Sequence, residues 1–188
     1  MLLLGLLQTN PVQAQDGLSN SSSHTVNLGI SPITVMSISG DPIPFMIERL
    51  SDDQGGAQSE SSTFYNVTTN VKNVYLTAEL DFPMPEGTAL WIAGESVLGN
   101  SHGLSRMTSS GRKVRLATGL KQGLENGRIL EYRFTYDDTV TDIPFQSRSI
   151  LFSLVHAPSK QSHQITRTVY FGVSTSDQDS RSSSGSKR

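Results

Sequence analysis

The sequence predicts an all-β fold, a two-sheet antiparallel β-sandwich. Three observations carry this prediction. Apolar and polar residues alternate along roughly eight to ten short segments, turn residues recur roughly every 8 to 12 positions, and no segment has a convincing helical period. A closed barrel is the second choice: its strands would alternate equally well, but unequal strand lengths and long polar loops favour open sheets.

The first predicted strands lie before residue 50. An alternating stripe is interrupted by Pro32 and then resumes in one of two registers, so this segment is a strand pair or a bent strand. Its apolar members are Val26, Leu28 and Ile30, then either Ile33 and Val35 or Met36 and Ile38. Pro42 and Pro44 place the next strand at a sheet edge, because proline cannot donate to a neighbouring strand. The inward residues of that strand are Ile43, Phe45 and Ile47.

A loop and a hairpin follow. The acidic, glycine-bearing stretch Ser51 to Ser62 predicts a loop. Tyr65, Val67 and Thr69 form one face of the next strand, and residues 70–73 turn the chain. The strand after this turn has five successive inward positions, which are Val74, Leu76, Ala78, Leu80 and Phe82.

The middle of the chain mixes short strands with polar stretches. Leu90 and Ile92 are the inward residues of a strand at 89–93, which leaves Trp91 facing outward. Residues 97–110 form a long, polar, glycine-containing stretch, and a short strand at 112–116 follows. Leucines at 116, 120 and 124 are spaced as on a helix. Glycines at 119 and 123 weaken that helix, so we expect a loop or one short turn there.

Three clean stripes end the domain. Their residues are Leu130, Tyr132, Phe134 and Tyr136 in the first, Ile150, Phe152 and Leu154 in the second, and Ile165, Arg167, Val169, Phe171 and Val173 in the third. Each stripe places its side chains on one face of a strand. The last stripe sets the predicted end of the domain at residue 173.

The two ends differ in composition from the predicted domain at 24–173. Residues 1–14 begin with an apolar run and end in Val12-Gln13-Ala14, a small-residue pattern typical of a signal-peptidase site. We therefore predict a cleaved signal peptide and a secreted or cell-surface protein. The alternative is a buried hydrophobic strand or an unrelated leader. Residues 15–23 and 174–188 are polar and Ser-rich, which predicts a linker and a disordered tail.

Composition and charge exclude several classes of function. The 188 residues include no cysteine, which excludes disulfides, thiol catalysis and zinc–thiolate sites. The formal net charge is -2, and the 15 basic residues are scattered apart from Arg112, Lys113 and Arg115 and the terminal pair, which argues against a nucleic-acid partner. On an alternating strand, Lys113 and Arg115 point to water. No later run reaches the ~20 apolar residues of a membrane span, so none is predicted in the mature chain.

The sequence contains no complete catalytic, cofactor-binding or metal-binding motif. Residues 94–99 (GESVLG) miss the Gly-x-Ser-x-Gly nucleophile turn by one position, and phosphate-binding glycine motifs are absent. The four histidines share no metal-ligand spacing. Acidic residues at 52–53 and at 137, 138 and 142 are of the kind that bind calcium or catalyse hydrolysis, but they are commonplace in loops. The prediction is a non-enzymatic chain without a cofactor.

The order of several segments resembles an uncharacterised class of small exported bacterial β-domains. The segments are SSTFYNVTTN, VYLTAELD, MPEGTALWI, GRKVRLATGL, LEYRFTYDDTV and SRSILFSLV. They span Ser61 to Val155, about half of the chain. The resemblance implies an immunoglobulin-like exported sandwich, similar in style to fimbrial and other cell-surface subunits, and it brings no catalytic residue or ligand site. The chain departs from the class in bulkier residues such as Trp91, Phe134 and Tyr136.

Three functions fit these observations, and a structural or interaction protein displayed outside the cell fits best. Such a protein would self-associate, or bind another surface protein, by strand addition at a sheet edge. The alternative is a secreted carbohydrate-binding module in which Trp91 or Tyr75 stacks on a sugar ring. A secreted hydrolase that uses the acidic loops ranks last.

Overall fold

The described part of the computed structural model is built from β-strands. The structure describes residues 29–50, 58–158 and 162–176, and no helix occurs in these ranges. The strands are Thr34–Ile38 (β1), Phe45–Leu50 (β2), Gln58–Thr69 (β3), Val74–Leu80 (β4), Thr88–Gly94 (β5), Asn100–Ser101 (β6), Ser105–Met107 (β7), Val114–Leu120 (β8), Gly123–Tyr136 (β9), Ile143–His156 (β10) and Ser162–Ser176 (β11). All of them lie in one unit that begins at Ser31.

The strands form two sheets. Sheet A has the order β1-β3-β9-β5-β7 and is antiparallel throughout. Sheet B has the order β2-β11-β10-β4-β8-β6 and is antiparallel except for the parallel pair β2 and β11. Two packed, mainly antiparallel sheets are the immunoglobulin-like sandwich architecture, so the predicted fold class is confirmed.

The chain changes sheets between β1 and β2. Because β1 pairs with β3 in sheet A and β2 pairs with β11 in sheet B, residues 39–44 carry the chain from one sheet to the other. Pro42 and Pro44 lie in this crossing. The strand that follows, β2, is the outermost strand of sheet B, which confirms the edge position predicted from the two prolines.

The core lies between the sheets and is formed largely by the predicted stripes. Its buried members include Val74, Leu76, Ala78 and Leu80 of β4, Leu130, Tyr132, Phe134 and Tyr136 of β9, and Ile150, Phe152 and Leu154 of β10. Phe134 joins the two sheets, since its ring centroid lies 6.1 Å from that of Phe45 and 5.1 Å from that of Phe171. Burial of each such ring contributes about 1.5–3 kcal/mol to folding.

Three residues of the predicted stripes are exposed instead. Ile30 lies before β1 and is 83 % exposed, and Val26 and Leu28 of the same stripe lie outside the described residues. The other two are Phe82 and Ile43. Phe82 lies outside β4, which ends at Leu80, and the Asp81 carboxylate accepts the Phe82 N–H at 2.7 Å to start a turn. Ile43 is exposed because it precedes the first residue of β2, Phe45. The predictions for Phe82 and Ile43 were wrong for the same reason: alternation was extended past the end of a strand, where the backbone no longer alternates.

Two other stripes are placed as follows. In β1 the register with Met36 and Ile38 inward is adopted, and Val35 on the other face is 46 % exposed. In β11 the stripe residues Val169, Phe171 and Val173 are buried. Arg167 of the same stripe is half-buried, and its guanidinium donates to the Ile38 carbonyl at 2.6 Å, which ties β11 to β1.

The loop predicted at 51–62 is wrong for the part that the structure describes. Residues 51–57 lie outside the described ranges, but residues 58–62 belong to β3. This polar half of β3 pairs with β9, where Arg133 Nε lies 2.8 Å from the Glu60 carboxylate and the Tyr132 hydroxyl lies 3.1 Å from that of Thr63. A loop-like composition is overridden because cross-strand partners satisfy its polar groups.

Two further stretches predicted as loops contain strands. Both β6 and β7 lie within 97–110, and β8 and β9 occupy the region where a loop or a short turn was expected. Leu116 and Leu120 are buried on one face of β8, whereas Leu124 is exposed. A spacing of four fits a strand as well as a helix, because the strand period is two. Gly119 adopts a φ of +66°, which glycine accepts without strain.

The predicted end segments stay predictions. The signal peptide at 1–14, the linker at 15–23 and, of the predicted tail at 174–188, the residues from 177 onward lie outside the described residues. The last strand continues to Ser176, beyond the predicted domain end at residue 173. Within the described ranges, no helix is long and apolar enough to cross a membrane.

Candidate functional site

Trp91 lies on the outer face of sheet A, but its ring is already engaged. Its neighbours Leu90 and Ile92 are buried in the core, so the indole points outward as expected. Nε1 donates to the Thr135 hydroxyl at 3.1 Å, and the Arg106 guanidinium carbon lies 5.9 Å from the ring centroid. A ring with its N–H bonded and a cation over its face offers little free surface for a sugar.

Tyr75 lies on the outer face of sheet B. It is half-buried between the inward residues Val74 and Leu76 of β4, and it is opposite Val155 of β10. Because Trp91 belongs to sheet A, the two platform residues predicted from the sequence face opposite sides of the sandwich. The structure does not bring them into one site.

The acidic residues that suggested calcium binding or hydrolysis form a local turn where they are described. The Asp137 carboxylate accepts the Thr139 backbone N–H at 3.0 Å and also the Thr139 hydroxyl. The acidic pair at 52–53 lies outside the described residues. In the described ranges, no group of three His, Asp or Glu side chains is placed to hold a metal ion.

No sequence pattern predicts the buried carboxylate of Glu125, which is 0 % exposed. Its Oε1 accepts hydrogen bonds from the Ser96 hydroxyl at 2.7 Å and from the backbone N–H groups of Val97 and Leu98 at 2.6 Å. Its Oε2 lies 3.4 Å from the Tyr65 hydroxyl. The carboxylate therefore fixes the loop after β5, and Ser96 of the near-miss nucleophile motif has a structural role there.

Two buried tyrosines surround the polar part of the core. Burial raises the pKa of Tyr132 to about 12. Burial also raises the pKa of Tyr65, and the negative charge of Glu125 adds to that rise. Both phenols therefore stay protonated near neutral pH, where an acid–base catalyst needs a pKa close to the working pH.

An exposed aromatic patch lies on the outer face of sheet B, near its β2 edge. We call it the Phe145 patch, and it consists of Phe145, Tyr170 and Met46, which are 57 %, 38 % and 60 % exposed. The two rings are nearly parallel, with an interplanar angle of 13° and centroids 5.7 Å apart. An irregularity in β10 between Ile143 and Gln146 places Phe145 against Gly172, where an added Cβ would lie 3.3 Å from the Phe145 Cα. A side chain at this position would press on the Phe145 backbone.

Among the described strands, four lie at sheet edges, and three of these are protected against pairing with another chain. Strands β6 and β7 have 2 and 3 residues, which is too short to offer a ladder. Strand β2 follows two prolines and carries the charged, exposed Glu48. Strand β1, with the sequence TVMSI, has neither a charge nor a proline. It is held on β3 by the Asn70 side chain, which accepts the Ile33 N–H at 2.7 Å.

No protein-family model matches the chain, and no curated protein is significantly similar to it. One solved structure with a similar arrangement is the CooA pilin subunit from enterotoxigenic Escherichia coli, at 8% identity over 76% of this chain and 99% of that chain, with a TM-score of 0.38. Another is AggA, the major subunit of aggregative adherence fimbriae type I from Escherichia coli, at 9% identity over 80% and 100%, with a TM-score of 0.34. A third is AvmM, which catalyses macrocyclization in alchivemycin A biosynthesis, at 11% identity over 78% and 92%, with a TM-score of 0.35. These values are too low to indicate what this chain binds or does.

Proposed function

We propose that the chain is a non-catalytic interaction domain of the cell surface or extracellular space that self-associates through β1. The observation that carries this proposal is the uncharged, proline-free sequence of that edge strand. Natural sheets usually protect their edges with charges, prolines or very short strands. An edge without these features is a template for strand addition, in which backbone hydrogen bonds join two chains. The Ile38 carbonyl already accepts from Arg167, so the added strand would pair with the part of β1 before it.

A second copy of the same chain is the partner that β1 fits best. Two β1 strands can pair with each other in antiparallel fashion around a twofold axis, because such an interface uses the same surface on both copies. Met36 and Ile38 of both copies would then face the two cores, and Val35 and Ser37 would line the outer face. The pairing continues sheet A from one copy into the next.

Two further observations support a non-catalytic role outside the cell. The Ser96 hydroxyl and the Asp137 carboxylate, which resembled catalytic groups in the sequence, make local hydrogen bonds that shape loops. The apolar segment and small-residue site in residues 1–14 support export.

The substitution Val35→Lys is expected to weaken dimer formation at least tenfold, which corresponds to about 1.4 kcal/mol. A lysine on the edge strand brings like charges together when two copies pair. Natural sheets use lysine at their edges to prevent such pairing. Because Val35 is 46 % exposed, the fold should tolerate this change. Sedimentation velocity over a series of protein concentrations measures the effect.

Met46→Lys is the matched control, since Met46 is an exposed residue on the other long edge, β2. This variant is expected to associate like the wild type. The proposal fails if the wild type stays monomeric at every concentration, or if both lysine variants associate equally.

A second candidate function, recognition of a neutral glycan, is favoured by the Phe145 patch. Its two nearly parallel rings are exposed and held by a backbone irregularity, whereas the ring of Trp91 is covered by Arg106. Exposed aromatic faces are suited to stacking on the apolar faces of sugar rings. In this alternative the chain is a carbohydrate-binding module whose platform differs from the one predicted from the sequence.

Phe145→Ala is expected to reduce glycan binding at least tenfold, or about 1.4 kcal/mol. A glycan array with the wild type, Phe145→Ala, Trp91→Ala and Tyr75→Ala makes the comparison. Loss of binding in the Trp91 or Tyr75 variant alone would support the platform predicted from the sequence. Absence of any bound glycan for the wild type would reject this candidate function.

A further inference from the structure

A basic cleft opens where β7 of sheet A lies near β8 of sheet B. It has a volume of about 720 Å³. Its lining includes four cationic side chains and two hydroxyl groups, which are those of Arg106, Arg112, Lys113, Arg115, Ser105 and Thr108. This cleft is separate from the β1 edge and from the Phe145 patch, which share none of these residues.

Three of the four cations are close together in the sequence, and the fold places the fourth, Arg106, beside them. Arg112, Lys113 and Arg115 precede or begin β8, whereas Arg106 belongs to β7. Pairing of β7 with β5 sets Arg106 opposite Trp91, and the indole ring lies 5.9 Å from the guanidinium carbon. This cation–π contact holds the guanidinium in place before any ligand arrives.

The positive charge of the cleft is only partly balanced by the protein. Lys113 Nζ lies 3.8 Å from the Glu79 carboxylate. Within the described ranges, no ion pair joins Arg106, Arg112 or Arg115 to a carboxylate. Three guanidinium groups therefore share one concave surface with no carboxylate of the described residues paired to them, although the whole chain has a formal net charge of -2.

We propose that the basic cleft binds an anionic polysaccharide through its sulfate or carboxylate groups. A guanidinium donates two parallel N–H bonds to an oxyanion, so each arginine is a complete binding group for one anion. Lys113 and Arg115 are two residues apart, which places them about 7 Å apart along an extended chain. That spacing lets them bind separate anionic groups of one polymer.

The lining of the cleft favours a polysaccharide over other polyanions. Protein partners usually insert an aromatic or aliphatic anchor into an apolar pocket, but Val114 is the apolar residue of this lining. Single-stranded nucleic acids require free aromatic faces for base stacking, and the nearby Trp91 ring is covered by Arg106. The hydroxyls of Ser105 and Thr108 can bond to the many hydroxyl groups of a sugar chain.

The test compares two double variants that remove the same amount of charge. Arg112→Gln with Arg115→Gln removes two cations from the cleft. Lys72→Gln with Lys121→Gln removes two cations at the other end of the β4 and β8 pair, where Lys72 lies two residues before Val74 and Lys121 follows Leu120. Binding of dextran sulfate is measured by titration calorimetry over a series of salt concentrations, with uncharged dextran as the second probe.

The cleft variant is expected to bind dextran sulfate at least tenfold more weakly than the wild type, with a salt dependence shallower by roughly two charges. The lysine variant is expected to bind like the wild type, and uncharged dextran is expected not to bind. Equal losses in the two variants would show a diffuse charge effect and overturn the proposal. Binding of poly-glutamate as tight as that of dextran sulfate would overturn it in favour of an acidic protein partner.

Discussion

Replacement of Glu125 by alanine is expected to lower the free energy of unfolding by about 3–5 kcal/mol. The side chain is fully buried, and its Oε1 accepts three hydrogen bonds, from the Ser96 hydroxyl and from the N–H groups of Val97 and Leu98, all within 2.7 Å. Alanine removes the acceptor of all three donors. Buried donors that lose their partner cost more than the bond itself contributed, because they were desolvated on folding.

Urea denaturation of the wild type and the Glu125→Ala variant measures this loss. Glu131→Ala is the matched control on the same strand, since the Glu131 side chain is 41% exposed and lies 3.6 Å from Arg133 Nη2. Partly exposed ion pairs contribute less than about 1 kcal/mol, so the control is expected to stay close to the wild type. Equal losses in the two variants would contradict a special role of the buried carboxylate.

Glu125→Gln separates the hydrogen bonds from the charge. Glutamine keeps an acceptor oxygen of nearly the same shape, so the expected loss is smaller, about 1–2 kcal/mol. Hydrogen exchange at the amides of Val97 and Leu98 reports on the loop directly, because both N–H groups point to Oε1. Protection at these amides is expected to fall in the glutamine variant and to be lost in the alanine variant.

Period-two alternation predicted the interior of this fold because burial in a sandwich follows that period along each strand. The stripe from Leu130 to Tyr136 is buried in full, and the one in β4 is buried up to Leu80. Alternation does not mark where a strand ends, and so Phe82 was assigned to the core although it lies in a turn. The polar half of β3 has no apolar stripe, and only its pairing with β9 makes it a strand.

The functional surfaces depend on contacts between residues that are distant in the sequence. The outward direction of Trp91 follows from its neighbours, but the guanidinium over its ring comes from Arg106, which pairing of β5 with β7 places there. The basic cluster at 112–115 is visible in the sequence, but the cleft also includes Arg106, which only the fold places beside that cluster. Glu125 lies in a segment with glycine and asparagine neighbours, typical of a turn, and its Tyr65 partner is 60 positions away.

Stability is expected to fall steadily between pH 10 and about pH 12, where two buried tyrosines hold protons that the unfolded chain releases. Burial raises the pKa of Tyr132 from 10.0 to about 12, and burial together with the charge of Glu125 raises the pKa of Tyr65. Below pH 10 both states keep the phenolic protons, so this contribution to stability is fully present. Above it the folded state binds more protons than the unfolded state, and the free energy of unfolding decreases as pH rises.

Tyr132→Phe tests this origin of the alkaline loss, because a phenyl ring has no proton to release. Each tyrosine can lower the free energy of unfolding by at most about 1.4 kcal/mol per pH unit. Phenylalanine also loses the contact with the Thr63 hydroxyl, which costs about 1 kcal/mol at every pH and leaves the slope unaffected. Urea denaturation over the alkaline range is therefore expected to show a shallower slope for Tyr132→Phe, but the wild-type slope for Tyr170→Phe, whose ring is exposed. An unchanged slope in Tyr132→Phe would assign the alkaline loss to other groups, such as surface lysines.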